Sequence, residues 1–494
     1  MAIGPTNASS SAIKTLVTVT VVDSSSAGYQ SGRTVVVSHS SGRDTQTATT
    51  DSTGVLTFKL KFAGTYTITC NVPDGGSVET QTLEVELGGS YTSTLTISFG
   101  WGTFSMTFNA TTFQSDPTGC LTYGDDCAGY TPVSGPGSSL AKCSTIGSWL
   151  MNADGTSTNP LLAECFYATF TSNGVLHQKL NPQDLTKYIA TWDNTNKKWV
   201  SASGNSSITS EDTMFCIPTC YKNGSSTKVL ISGSASNGTA FGHTIGGHVY
   251  EYLAIAVYPA YDDGSKLWSR SGTNSTVSTT RPTFRSHAAA KTIQNGYAMV
   301  WNYYQWDLWR LLVLFACKSF NTQAKIGQGG YSYGAKASGK TNTMGPFAGS
   351  TSTSASESTG VKAFIENGWG HNYDFIDDFL NVQGVIYAGQ NSSVDDNSSS
   401  KTNLGSFSAN TGWANAISTA AATWGIGTNN SGSSTAGLCD YQWTGTGGTY
   451  LGRGGGASAD VSGGRAGPSC LDAYNDLSRS RDYFGARLAF VFDL

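Results

Sequence analysis

Three carboxylates fall close together in the second half of the chain: Glu366, Asp374 and Asp378, with Asp377 beside them and Trp369, Tyr373 and Phe375 interleaved. Glycoside hydrolysis needs two carboxylates facing one groove, one to protonate the leaving oxygen and one to attack or to activate water; aromatic neighbours suit a sugar ring. One expectation is therefore a glycan depolymerase working through Glu366, Asp374 and Asp378. His243 and His248 stand five apart among glycines, off the i, i+4 spacing of a helical zinc pair. Cys216 and Cys220 lack the second Cys or His pair of a zinc knuckle and read as small apolar residues. No phosphate loop, dinucleotide fingerprint or nucleophile elbow occurs, so neither metal nor cofactor is expected.

A second group points to recognition instead. Tyr441, Trp443, Asp460, Ser462, Arg465, Ser469, Asp472, Tyr474, Asp476, Arg479, Arg481, Asp482 and Tyr483 follow no apolar period. Tyr and Trp give rigid, amphipathic contact area, while Ser and Asp adapt their hydrogen bonds, so such a mix suits a ligand-binding surface. The plainer reading is an ordinary polar loop. Gly454, Gly455 and Gly485 lie among these residues, where close backbone approach would exclude side chains.

These residues need a scaffold, and composition bounds it. The chain has 494 residues, enough for two to four domains. Only 13% are charged and the net charge is −4, which excludes a nucleic-acid binder held by bulk phosphate attraction. With 59 Gly, 12 Pro and 11% aromatics, the expected class is mainly β with an α+β part. No apolar run is long enough to span a bilayer. The first residues lack a basic start and an apolar core, so synthesis in the cytoplasm, with exit by lysis or inside an assembly, is expected. Ten spread cysteines are expected to be mostly free, buried thiols.

Residues 16–22, 34–37, 56–60, 65–70, 83–87 and 91–99 alternate apolar and polar side chains, with Leu83, Val85, Leu87, Leu95, Ile97 and Phe99 on inward positions. This predicts a small antiparallel sandwich over 1–105. A linker is expected at 106–142 and a large domain over 143–494. Leu308, Leu311, Leu312 and Phe315 recur at helical spacing and predict a helix over 306–315; a weaker one is predicted over 411–422. The Ser/Thr/Gly/Asn stretches 349–360, 391–403 and 425–437 are expected to be loops. Residues 484–490 read as one strand with Leu488 and Phe490 inward.

The pattern at 50–68 resembles immunoglobulin-like and carboxypeptidase-regulatory-like sandwiches, common add-on modules of surface and phage tail proteins. Over about 350 residues the rest resembles tail-associated C-type-lectin-like proteins of phages and prophages. The resemblance rests on an ordered set of blocks: 181–188 (NPQDLTKY), 212–221 (DTMFCIPTCY), 251–261 (EYLAIAVYPAY), 321–329 (NTQAKIGQG), 362–370 (KAFIENGWG), 451–455 (LGRGG), 466–468 (AGP) and 484–490 (FGARLAF). That family is similar to formylglycine-generating-enzyme folds and to variable proteins diversified by retroelements, whose last strands and loops present a ligand-binding face. The resemblance implies a virion protein binding a host-cell surface protein or glycan, attached to other tail proteins and trimeric, with no nucleic acid and no membrane insertion. It implies Trp369 in the core. The Glu-Pro-Asn, Gln-Pro-Asp and Trp-Asn-Asp triplets of calcium-dependent lectins are absent; Trp192-Asp193-Asn194 has the wrong order. Fold kinship does not make Cys439 and Cys470 a catalytic pair. A purely structural virion decoration protein is a third expectation.

Overall fold

The computed structural model describes residues 15–23, 33–51, 53–70, 77–78, 80–98, 103–108, 121–125, 149–157, 159–225, 228–233, 238–327, 329–349, 360–389, 395–407, 410–434 and 438–494. The chain is mainly β and divides into two compact units, one ending at Gly102 and the other beginning at Thr103. The expected linker is in part strand. Thr103–Phe108 pairs antiparallel with Lys228–Ser232 of the larger unit and with Leu121–Asp125.

In the first unit, period-two sequences become sandwich strands because only alternate side chains can reach the core. Thr15–Asp23 buries Val17, Val19 and Val21; Val55–Leu60 buries Leu56, Phe58 and Leu60; Gly64–Cys70 buries Tyr66, Ile68 and Cys70. Each such side chain contributes about 1.5–3 kcal/mol when fully buried. One four-stranded sheet runs Val55–Leu60, Thr15–Asp23, Ser90–Ser98, Ser77–Val78; the other runs Thr45–Thr49, Thr34–His39, Gly64–Cys70, Gln81–Val85. The sandwich is not wholly antiparallel: Thr15–Asp23 and Ser90–Ser98 are parallel neighbours, with Leu16 opposite Ser90. Leu87 is exposed, beyond the end of its strand. The side chain of Ile97, and Phe99 altogether, lie outside the described residues.

The second unit holds two large sheets. The first is antiparallel throughout, in the order Lys198–Asn205, Asp184–Asp193, Leu176–Asn181, Phe166–Phe170, Asp212–Pro218, Tyr252–Ala256, Leu488–Phe492, Gly296–Val300. The second runs Thr402–Ser406, Val385–Ala388, Tyr373–Val382, Thr449–Gly455, Gly467–Ala473, Tyr441–Thr444, Gly412–Trp413. Phe484–Ala486 adds in parallel to Tyr373–Val382. The expected strand 484–490 is therefore split at Arg487: its first part joins one sheet and its second part the other.

The predicted helix is Tyr303–Cys317, and every one of its 15 residues is buried. The Asn302 side chain accepts from the Gln305 N–H, and the Gln305 side chain accepts in return from the Asn302 N–H, closing a capping box. The helix stops where Lys318 turns left-handed at φ 51°. A helix buried on all sides must satisfy its polar groups internally. Asp307 does so with Lys222 at 2.6 Å and Arg310 at 2.5 Å, and Trp309 donates to the Ala363 carbonyl at 2.8 Å. The weaker helix expected at 411–422 is absent. Gly412–Trp413 and Ala416–Ile417 are short strands, followed by the 3-10 turn Ala421–Thr423.

Two of the three framework glycines are sterically required. Gly455 has φ +92°, and a Cβ there would sit 2.4 Å from the Gly368 carbonyl oxygen. A Cβ on Gly454 would lie 2.6 Å from Trp306 Nε1. Gly485 has room: its nearest neighbour would be the Thr276 carbonyl at 3.4 Å. Gly455→Val is thus expected to destabilise the large unit by several kcal/mol, whereas Gly485→Ala should stay within about 1 kcal/mol of wild type. Urea melts of both variants check this; equal melts would remove the distinction.

Candidate functional site

The second sheet positions one face by register. Phe375 is opposite Arg453, Arg453 opposite Asp472, and Asp472 opposite Trp443. Two residues along, Tyr441 lies opposite Trp413. Directly opposed residues project to the same side of a sheet, so aromatic and charged side chains line up across four strands.

The rings touch in sequence. Trp413 meets Tyr441 at 4.7 Å between centroids, and Tyr441 meets Trp443 at 4.4 Å. Trp443 meets Tyr373 at 5.7 Å, Tyr373 meets Tyr483 at 6.4 Å, and Tyr483 meets Tyr333 at 6.0 Å. These spacings are those of edge-to-face and tilted aromatic pairs. Tyr373 is buried and anchors the row; Trp413, Tyr441, Trp443 and Tyr483 are half-buried, and Tyr333 is exposed. The Arg465 guanidinium lies 5.0 Å from the Tyr441 ring centre.

Beneath the rings is a built-in charge pair. Arg453 donates to Asp472 Oδ1 at 3.0 Å and packs its guanidinium 4.0 Å from the Phe484 ring centre. Arg453 Nε and Nη1 have no hydrogen-bond partner, so ring faces take the place of acceptors. Asp460 Oδ2 accepts from the Tyr373 hydroxyl at 3.0 Å and from the Ala457 N–H at 3.2 Å. Burial raises the Asp460 carboxyl above the usual carboxylate range against those two bonds.

Of the residues expected at the surface, the fold gathers Tyr441, Trp443, Asp460, Arg465 and Tyr483. Ser462 stands on the 3-10 helix Ser458–Gly463, and its side chain lies outside those described. Ser469 and Asp472 are corrections: both are buried, because Gly467–Ala473 is enclosed on both faces. Ser469 receives Arg310 Nη1 at 3.3 Å, and Asp472 belongs to the Arg453 pair. Tyr474 is exposed and lies almost parallel to Tyr450, centroids 6.3 Å apart. Asp476 receives the Ser478 N–H at 3.1 Å, closing the exposed turn; Arg479 is half-buried, and Arg481 and Asp482 are exposed. No ring contact joins these five to the row. Sequence reasoning missed Trp413, Tyr333 and, as part of this surface, Tyr373.

The three carboxylates expected to cleave glycans are not open to a groove. Glu366 is fully buried and accepts from Gly339 N at 2.8 Å, Thr341 N at 2.9 Å and Thr341 Oγ1 at 2.8 Å. Asp374 accepts from Arg487 Nε at 2.9 Å. Asp378 pairs with Lys401. As acid and nucleophile these residues are corrected: each is committed to holding a loop or strand in place. His243 is buried between the carbonyls of Phe241 and Ile217, while His248 is exposed and pairs with Asp493 at 2.9 Å. Among the described residues there is no group of three or more His, Cys, Asp or Glu able to hold a metal. Seven described cysteines are free and buried, and Trp369 is in the core. No described helix is long and apolar enough to cross a membrane.

Burial lowers both His243 and His371 from 6.5 to about 4, against hydrogen bonds to backbone carbonyls that favour the charged ring. Between pH 6.5 and 4 the unfolded chain binds these protons and the folded chain does not, so stability falls as pH drops through that window. Each histidine is worth ~3 kcal/mol over it. His243→Asn and His371→Asn should each lose less stability than wild type between pH 7 and 4.5 in urea titrations. An undiminished loss would mean the rings accept protons inside the fold.

No family model and no curated protein matches this chain. Among solved structures it is similar over 20% of its length to 23% of the Bacillus anthracis TIE protein, at 18% identity and a TM-score of 0.16. Over 45% of its length it is similar to 94% of a DUF3823 family protein from Parabacteroides merdae, at 9% identity and a TM-score of 0.17. What stands is the class the fold defines: a mainly β protein of two units.

Proposed function

We propose that the chain is a non-enzymatic receptor-binding or adhesion protein of a phage tail. An immunoglobulin-like unit attaches or spaces it, and a C-type-lectin-like domain presents the aromatic face to a host-cell surface protein or glycan. The observation that carries this reading is the ring row from Trp413 to Tyr333, assembled from separate segments of the chain, with Arg465 laid on it. Half-buried aromatics with an arginine at the centre are the composition of interface anchors. A trimer on the virion, joined to other tail proteins, would turn weak single sites into strong attachment by effective concentration alone.

The test is adsorption of the purified chain to host cells, beside incubation with their wall polysaccharide. Saturable adsorption without release of oligosaccharide supports the reading. Release of oligosaccharide would replace it with a depolymerase, and absence of adsorption would leave a structural decoration protein.

A further inference from the structure

We infer that the ligand of this face is an uncharged, pyranose-based glycan, held by ring stacking and hydrogen bonds without a bridging cation. This rests on the ligand-binding reading above.

Charge supports it first. Around the face, Arg453, Arg465, Arg479 and Arg481 are matched by Asp460, Asp472, Asp476 and Asp482. The innermost of these charges, Arg453 and Asp472, neutralise one another at 3.0 Å. A polyanionic glycan or an acidic protein patch would need a positive surplus, and the face has none.

Shape and polar chemistry support it second. A pyranose has a face of axial C–H groups and a belt of equatorial hydroxyls that both donate and accept. The row offers Tyr441, Trp443 and Tyr483 as half-buried ring surfaces set at angles to one another, 55° between the first two. At its rim are two planar, bidentate groups. Asp460 engages only Oδ2 within the protein, through the Tyr373 hydroxyl and the Ala457 N–H. Arg465 lies flat enough over Tyr441 to bring its guanidinium to 5.0 Å from the ring centre. A carboxylate that accepts and a guanidinium that donates, both beside a ring, match vicinal hydroxyls on a stacked sugar. Cation-bridged sugar binding needs clustered oxygen ligands, and the row offers Asp460 alone beside its rings.

The experiment applies the full-length chain to immobilised neutral glycans (chitotetraose and maltotetraose among them) and acidic ones (polysialic acid, a heparin tetrasaccharide), with calcium and with EDTA. In parallel it measures adsorption to host cells treated with periodate or with protease. The expected result is binding to neutral glycans, unchanged by EDTA and reduced at least tenfold in Trp443→Ala. Adsorption should be lost after periodate and kept after protease. Binding confined to acidic glycans, or abolished by EDTA, overturns the inference. Trp443-dependent adsorption that protease removes and periodate spares also overturns it, leaving the adhesion reading intact with a protein ligand. Failure to adsorb to cells at all, with no glycan bound, overturns both.

Discussion

Replacing Tyr441 and Trp443 together by alanine is expected to lower host-cell adsorption by a hundredfold or more, while the melting temperature falls only a few degrees. The two rings meet at 4.4 Å and stand half-exposed at the middle of the row. Anchors of this type typically cost 2 kcal/mol or more each when truncated at an interface centre, and ~1.4 kcal/mol is tenfold in affinity. The stability cost is smaller, since neither ring is fully buried and each loses only side contacts with Trp413 or Tyr373. Tyr474→Ala with Arg479→Ala, outside the row, should lower adsorption less. Quantitative adsorption isotherms with melts of the same samples read both effects. Unchanged adsorption in the Tyr441/Trp443 variant would move the site to the loops at 395–407 or 425–434.

The largest effect on stability is expected from Arg487→Met. Arg487 is fully buried where the chain passes from one sheet to the other. Its guanidinium donates to Asp374 at 2.9 Å and to the carbonyls of Ala256, Val257, Glu366 and Asn367 at 3.0–3.2 Å. Removing it strands a buried carboxylate already pushed up by burial, and leaves four carbonyls without this donor. Breaking one partner of a buried pair costs about 3–5 kcal/mol. Adding Asp374→Leu should recover part of that loss, because the uncompensated charge goes with it. Urea unfolding followed by tryptophan fluorescence measures both variants. A single variant as stable as wild type would mean that solvent reaches the carboxylate.

Legibility in the sequence followed the range of the interactions. The sandwich strands could be read because Val17, Val19, Val21 and their counterparts alternate with polar residues within a single strand. The helix at 303–317 could be read from its leucine stripe, but not its burial on every side, since Asp307 and Arg310 look solvent-facing until Lys222 is brought to them. The stretch 411–422 reads as helix from its alanines, yet Gly412 pairs with Gln442 and Ala416 with Asn429, and that pairing outweighs local propensity. Ser469, Asp472, Glu366, Asp374 and Asp378 were misplaced for one reason. Polar type suggests surface, and the arginines, lysines and backbone groups that satisfy them inside lie up to 159 residues away. Trp413 and Tyr333 join the row only through sheet register and a loop crossing, which no local pattern records.

Hydroxyl-radical footprinting of the chain bound to host cells tests the central claim most directly. The account predicts protection of Tyr441, Trp443, Tyr483 and Tyr333, with Tyr297, 57% exposed on the edge strand of the other sheet, oxidised as in the free protein. Protection at Tyr297 with the row left as reactive as before would contradict it.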